Sequence, residues 1–403
     1  MVWLTKRVPA TATGVKSEPI SEKDLGHWKM MQVFRERLAL VFGEPALGSS
    51  WADPKRQLNA VDYLSLFLFG LLNPVTQTLR GISAASLLPR VQQEVCSRAV
   101  PRATFSEAQH VLDAELLEKV LLELSEQIPR ASDDGRLGQW QWLARDGSLF
   151  RALPRMAWAV YGAGKPGYPN RAVRLHLSLH VVEDRPVQLA VQPGALCERE
   201  VWEDQLEKGA AYIGDRLYGQ SFRLFAKLKL KGCAYILRLR EQTRVSVEEE
   251  LAVSLEERAA GVERQAWVRL GSGGRFQSVR VRLVWIPTRE KTLLLVTNLT
   301  PEELPAEWVS VLYRKRWKVE LFFRWVKCIL GCGHWLAESR NGATLQIYLA
   351  LMAALLLQLY IGRRPNKRMM ELVRFYLLGW ASPDDLQAGL KRYRRELEKR
   401  KRN

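Results

Sequence analysis

Cysteine and histidine are scarce in this chain of 403 residues, at five each. Cys96, Cys197, Cys233, Cys328 and Cys332 are spread along the sequence, and only the last two form a close CxxxC pair. No second pair stands nearby, which excludes a zinc ribbon or finger. The histidines make no HExxH, which excludes that zinc-protease arrangement. An odd number of scattered thiols suits a reduced, cytoplasmic setting. No secretory leader is expected either: Trp3, Lys6, Arg7, Pro9 and Pro19 leave no apolar core in the first twenty residues. Acids are in deficit, 43 against 61 Lys plus Arg, for a formal charge of +18. Such a surplus is a statement about partners rather than fold, and it favours a polyanion, most simply nucleic acid. A basic tail alone would be the plainer explanation. The segment 391-KRYRRELEKRKRN-403 does concentrate charge, but cations also recur across 144–245 and 313–327.

The remaining composition, 47% apolar and 26% charged, is ordinary for a globular protein. The length allows a full core and two or three domains. One apolar run, 345-LQIYLALMAALLLQLYI-361, approaches the length of a short membrane span. It contains Gln346 and Gln358 and closely follows a charged helix, so a buried core helix is expected and no membrane role. The shorter run 64-LSLFLFGLL-72 reads the same way.

Residues 21–130 carry helical punctuation. The segments 30–42, 60–72 and 76–86 read as helices, and Thr104 or Ser106 is a candidate cap for a helix over 107–128. A helical DNA-binding domain over 1–130 is expected, although any small bundle carries the same punctuation. After the polar loop 129–138 the pattern changes to period two. A strand over 139–150 is expected to give out near Asp146. In 171-RAVRLHLSLHVV-182, Arg174, His176, Ser178 and His180 share one face, read as solvated or DNA-facing. A short strand ends at Asp215, a helix over 221–232 closes at Gly232, and another strand follows at 233–240. The catalytic core is therefore expected in two parts, 139–242 and 300–380. Between them lies a β-rich insertion, 243–299, whose last strand rejoins the sheet. A basic tail covers 381–403.

The densest constellation is 313-YRKRWKVELFFRWVK-327. Tyr313, Arg316, Glu320 and Lys327 follow one another at offsets of three, four and seven. At about 100° per residue these offsets put all four on one stripe of a helix. One carboxylate is thus flanked by two cations and a phenol, which suits a metal ligand with phosphate-holding neighbours. Two upstream acids at strand ends, Asp146 and Asp215, could converge on it. Hard divalent cations want such oxygen ligands, and two ions can activate a nucleophile and stabilise the leaving oxygen. A lone strand-end aspartate is more often a turn or cap residue; the weight lies in the combination.

That combination resembles the cut-and-paste DDE transposases of bacterial insertion sequences, specifically the insertion-sequence-four type. Their signature is Tyr, two residues, Arg, three residues, Glu, six residues, Lys, and Tyr313, Arg316, Glu320 and Lys327 match every spacing. Asp215, Arg216 and Tyr218 resemble the family's second aspartate and its followers, and Asp146, Gly147 and Ser148 the first. The stretches 235-YILRLR-240 and 293-LLLVTNL-299 read like flanking strands of the family. The likeness covers roughly 100–380. It implies an α/β fold: an RNase H-like catalytic core with a β-rich insertion, preceded by an all-helical domain. It implies two Mg2+ (or Mn2+) ions on Asp146, Asp215 and Glu320. It implies Tyr313, Arg316, Lys327 and Arg216 as DNA- or phosphate-binding residues. Trp317, directly after Arg316, matches a family position and is counted with the DNA-binding residues, although helix packing would also explain it. Trp285 lies in the region that supplies a base-flipping tryptophan, several residues before the corresponding strand.

The implied partners are double-stranded DNA with terminal inverted repeats, target DNA, and a second copy of the chain in a homodimeric DNA complex. The implied reaction runs through a hairpin intermediate, in the cytoplasm and at the nucleoid when DNA is bound. The alternatives are a non-catalytic DNA-binding descendant, for which the intact acids offer no support, and an RNase H-like nuclease.

Overall fold

The computed structural model describes residues 29–42, 57–128, 139–165, 168–271, 280–329, 334–362 and 364–402. The expected loop 129–138 and Cys332 lie outside these residues.

The first helices are α1 (Lys29–Phe42), α2 (Ala60–Leu72), α3 (Leu79–Ala85), α4 (Pro89–Glu94), α5 (Arg102–Ala108) and α6 (Ala114–Glu126). Asn59, Thr78 and Asp113 cap α2, α3 and α6, each side chain accepting a first-turn N–H. The helix expected over 107–128 is therefore two, because Asp113 starts a new one after α5 has ended. Almost every residue of α2 is buried, so its sequence lacks a polar stripe. Its one acid, Asp62, is held by Arg35, Asn59 and Ser97.

Then come β1 (Gln141–Arg151), β2 (Val160–Lys165), β3 (Tyr168–His180), β4 (Arg185–Pro193), α7 (Glu198–Asp204), β5 (Ala210–Gly214), α8 (Phe222–Leu230) and β6 (Ala234–Arg238). The segment expected to be β-rich gives β7 (Val245–Leu251), α9 (Leu255–Ala259), β8 (Arg264–Leu270), β9 (Arg280–Pro287) and β10 (Thr292–Thr297). The ten strands among the described residues form one sheet, ordered β2-β3-β1-β5-β6-β10-β9-β8-β7, with β4 also pairing β3. β1 is antiparallel to β3 and parallel to β5, and β5 is parallel to β6. β10 joins β6 antiparallel, so β7–β9 extend the core sheet rather than stand apart from it.

Alternation divides the sheet into two faces. Trp142, Ala144, Ile213, Ile236 and Leu295 pack into the larger core; Leu143, Tyr212, Tyr235, Leu237 and Val296 pack into the smaller one, with Trp202 of α7 and Phe225 of α8. The larger core is closed by α10 (Ala306–Lys315), α11 (Trp317–Ile329), α12 (Arg340–Ile361) and α13 (Lys367–Leu377). Among the described residues α12 alone is long and apolar enough to cross a membrane, yet 89% of its apolar window is buried within the fold. Gln346 fits there because it accepts from Leu336 N at 2.9 Å and donates to His334 O at 2.7 Å. The segment expected as a basic tail forms α14 (Pro383–Arg402), whose Leu386, Leu390 and Tyr393 are buried. These three recur at helical spacing and give an otherwise charged helix one packing face.

The histidines of β3 are not solvated. His176 is fully buried and His180 nearly so. The polar face of β3 lies under the α7 segment, where Arg174 is ion-paired to Glu198. Burial, with Arg145 and Arg174 close by, holds the His176 imidazole neutral, its pKa lowered to about 3.

Candidate active site

Asp146 does not end its strand. β1 runs on to Arg151 because β3 keeps pairing with it as far as Ala172. What stops near Asp146 is the parallel pairing with β5, whose last partners are Ala144 and Ile213. Asp215 follows Gly214, the final residue of β5. The two acids thus stand where neighbouring strands part. α11 packs across β1 and β3 and brings Glu320 to the same place.

The Asp146 carboxylate accepts the Gly147 N–H at 2.8 Å, and its other oxygen lies 3.6 Å from the Arg316 guanidinium. Burial pushes the Asp146 carboxyl up to about 6; the Gly147 N–H and Arg316 oppose this, while Asp215 and Glu320 add to it. Asp215 accepts the Leu217 N–H at 2.8 Å, which tightens the loop after β5. Gly219 closes that loop against β6, where any Cβ would collide with the Arg238 carbonyl.

The helix expected over 313–327 is two, joined at Arg316. Here the bonds become three-residue ones: Arg316 N–H to Tyr313 O and Val319 N–H to Arg316 O, both 3.1 Å. Arg316 keeps right-handed helical angles, so the stripe survives the joint. Its guanidinium donates to Glu320 as well as approaching Asp146. Tyr313 is buried beneath it, with its ring centroid 5.9 Å from the guanidinium carbon and its phenol in contact with Arg238. Burial raises the Tyr313 pKa. For Arg316, burial works against the charge, but Tyr313, Glu320 and Asp146 outweigh it and the pKa rises. Lys327 lies farther along α11, its Nζ 5.3 Å from the Phe150 ring centroid. The stripe therefore runs along β1, with Lys327 beyond the acids rather than among them.

Trp317 is 49% exposed, and Arg216 is exposed beside Asp215. Trp285 is not brought to this cluster. It packs against the smaller core on the other face of the sheet, with Arg264 4.5 Å above its ring. Its strand, β9, is separated from β5 by β10 and β6.

Among the described residues no three His, Cys, Asp or Glu side chains stand close enough together to hold a metal ion. The Arg316 guanidinium takes the space between Asp146 and Glu320. The donor set nevertheless fits a hard divalent cation: all carboxylate oxygens, with one carboxyl whose ionisation burial and neighbouring acids resist.

Behind the acids, on the smaller-core side, stands a polar group that sequence spacing did not mark. Glu198 pairs with Arg174 and accepts from the buried Tyr218 hydroxyl at 3.3 Å. A Cβ on Gly147 would stand 3.0 Å from the Glu198 carboxyl carbon, a close approach that the carboxylate would have to relieve by a small shift. Nothing in 198-EREVWED-204 distinguishes Glu198 from its acidic neighbours.

The family profile described as the transposase DDE domain matches residues 143–356, just over half the chain, a span that contains Asp146, Asp215 and Glu320. A putative transposase of Sinorhizobium fredii is 26% identical over 231 residues, 56% of this chain and 64% of that protein. A probable transposase for an insertion sequence element of Geobacillus stearothermophilus is 24% identical over 205 residues, 51% of this chain and 52% of that protein. A putative transposase for the insertion sequence element IS4SA of Synechocystis is 22% identical over 328 residues, 79% of this chain and 87% of that protein. The chain thus spans between about half and two thirds of the first two relatives.

Proposed function

The chain belongs to the transposase DDE domain family, and from that membership we propose that it is the transposase of a bacterial insertion sequence, cutting the element's ends and joining them to new DNA by phosphoryl transfer. One juxtaposition carries this function. Asp146 and Glu320, 174 residues apart in sequence (320 − 146), share the Arg316 guanidinium, and Asp215 is near enough to act on the Asp146 carboxyl. The sheet supports an RNase H-like core, with β1 between an antiparallel β3 and a parallel β5.

Asp146, Asp215 and Glu320 would hold Mg2+ or Mn2+, which when bound supplies Lewis-acid activation of the nucleophile and charge for the leaving oxygen. Arg316 is the residue to hold a phosphate at the cut, through the paired N–H groups now spent on the two carboxylates. Lys327 gives a point charge farther along the same groove. Tyr313 offers a phenol that burial keeps protonated, hence a hydrogen-bond donor. Trp317 and Arg216 are open to a DNA end. In the first step a water oxygen bonds to phosphorus, the bond to the 3′ oxygen breaks, and that oxygen leaves as a 3′-hydroxyl. The freed 3′-hydroxyl attacks a phosphorus of the opposite strand, whose bond to the flanking DNA's 3′ oxygen breaks, leaving a hairpin on the element. A second water attacks that phosphorus and releases the element's 3′-hydroxyl again, which joins target DNA by displacing a 3′ oxygen there. A homodimer holding two inverted-repeat ends matches the symmetry of this task. The setting is the cytoplasm, at the nucleoid.

The experiment is Mg2+-dependent nicking of duplexes carrying the inverted repeats that flank the gene. Glu320→Gln is expected to reduce nicking to background. Near-normal nicking by that variant overturns the assignment.

A further inference from the structure

Glu320 rides on a helix that is jointed to α10 at Arg316, so its place over the sheet depends on other contacts. The apolar face of α11, with Val319, Phe322 and Val326, packs into the larger core, and three polar side chains add directional contacts away from the acids. Asp184 closes the turn between β3 and β4 at φ +61°, and no other non-glycine among the described residues has a positive φ. That left-handed conformation is mildly unfavourable for any residue with a Cβ, and Asp and Asn tolerate it best. It is fixed from both sides: Asp184 N–H donates to His180 O at 2.8 Å, and Gln358 of α12 donates to Asp184 O at 3.2 Å.

The Asp184 carboxylate receives Arg364 at 2.9 Å and has Lys318 at 3.9 Å. Arg364 extends its other arm to the Lys318 carbonyl at 3.1 Å and lies 4.9 Å from the centroid of the Phe322 ring. One planar guanidinium therefore ties the turn to two successive turns of α11. Lys318 also donates to Val181 O at 2.9 Å. At about 100° per residue, Lys318 projects from the opposite side of α11 to Glu320. The Arg364 carbonyl accepts from Tyr393 of α14 at 2.8 Å, which joins the C-terminal helix to the same knot.

We propose that Asp184, Lys318 and Arg364 form a clasp that positions Glu320 for phosphoryl transfer. They are positioning residues: they act through α11. The inference rests on Glu320 being one of the reacting acids. Two cations meet one carboxylate in a partly buried setting. Removing the negative charge leaves Lys318 and Arg364 facing each other without their common partner, and the N-terminal turn of α11, next to the joint at Arg316, loses its tie to the β3–β4 turn. A displacement of about 1 Å of a reacting group costs on the order of a hundredfold in rate.

The test is Asp184→Asn, which keeps a residue suited to the left-handed turn and removes only the charge. Single-turnover nicking of a pre-bound inverted-repeat duplex is expected to fall by about 10- to 100-fold, with duplex affinity and thermal midpoint little changed. Arg364→Lys, which keeps the charge but cannot span turn and helix, should fall between. In a Glu320→Asp background, where the carboxylate is already withdrawn by one methylene, Asp184→Asn should cost much less. Amide exchange is read independently of activity: 317–329 should exchange about tenfold faster in Asp184→Asn, with β1 and β5 unchanged. Unaltered exchange in α11, or rate losses that simply multiply in the double variant, overturns the clasp. A wild-type chain that never nicks the duplex overturns the transposase function instead, and the exchange experiment still decides the clasp.

Discussion

Asp146→Asn should make the metal-free protein more stable at neutral pH, although it removes a member of the acid cluster. In the folded chain the Asp146 carboxyl titrates at about 6, against 3.8 ordinarily. Below about pH 4 it is protonated in both folded and unfolded chains, and its contribution to stability is fully present. As pH rises through 6, the unfolded chain releases the proton freely while the folded one must ionise a buried acid, and the contribution is lost. A difference of about two pH units at about 1.4 kcal/mol each gives an upper bound near 3 kcal/mol. The side chain keeps 21% exposure, so a gain of about 2 kcal/mol is the better expectation. Urea unfolding followed by tryptophan fluorescence, with chelator present, measures it. The variant should unfold at higher urea at pH 7.5, and the two proteins should converge towards pH 4. Added Mg2+ should stabilise the wild type more than the variant, because binding to the folded state adds stability. A gain independent of pH, or no gain, would refute desolvation as the origin of the raised carboxyl.

Gly219→Ala should displace the loop that carries Asp215, since its Cβ has no room against the Arg238 carbonyl; a loss of about 1–3 kcal/mol is expected, with nicking abolished, read by thermal melting and the nicking assay. Trp317→Ala should leave stability within about 0.5 kcal/mol, because the ring is half exposed. If the ring stacks on a DNA base, hairpin formation should weaken by an amount worth about 1–3 kcal/mol; unchanged hairpin yield on a gel would remove Trp317 from the DNA-binding set.

The Glu320 stripe was legible because it is local, and the structure brings Asp146 to it through Arg316. Tyr313, Arg316, Glu320 and Lys327 are local to one segment, and the family profile spans all three acids. What failed depended on partners distant in sequence. β1 was expected to stop at Asp146, but its length is set by β3, a strand that begins after Lys165. The alternation of Arg174, His176, Ser178 and His180 has the form of an exposed strand face. The α7 segment covers that face, and no strand pattern encodes the covering element. Trp285 was assigned by sequence neighbourhood, whereas its face follows from the pairing of β9 with β10. The joint at Arg316 interrupts a run with good helix formers on both sides, and no breaker residue announces it.

The continuity of the sheet also bears on how β7, β8 and β9 are aimed. From β6 through β10, β9 and β8 to β7 there are four strand-to-strand steps. Ordinary sheet twist of about 20–25° per step turns β7 by about 80–100° from β6, nearly crosswise to it. The orientation of this outer blade is therefore a torsional property of the hydrogen-bonded ladder, not of a flexible tether. A single bulge or lost pair in β9 or β10 would re-aim the whole blade.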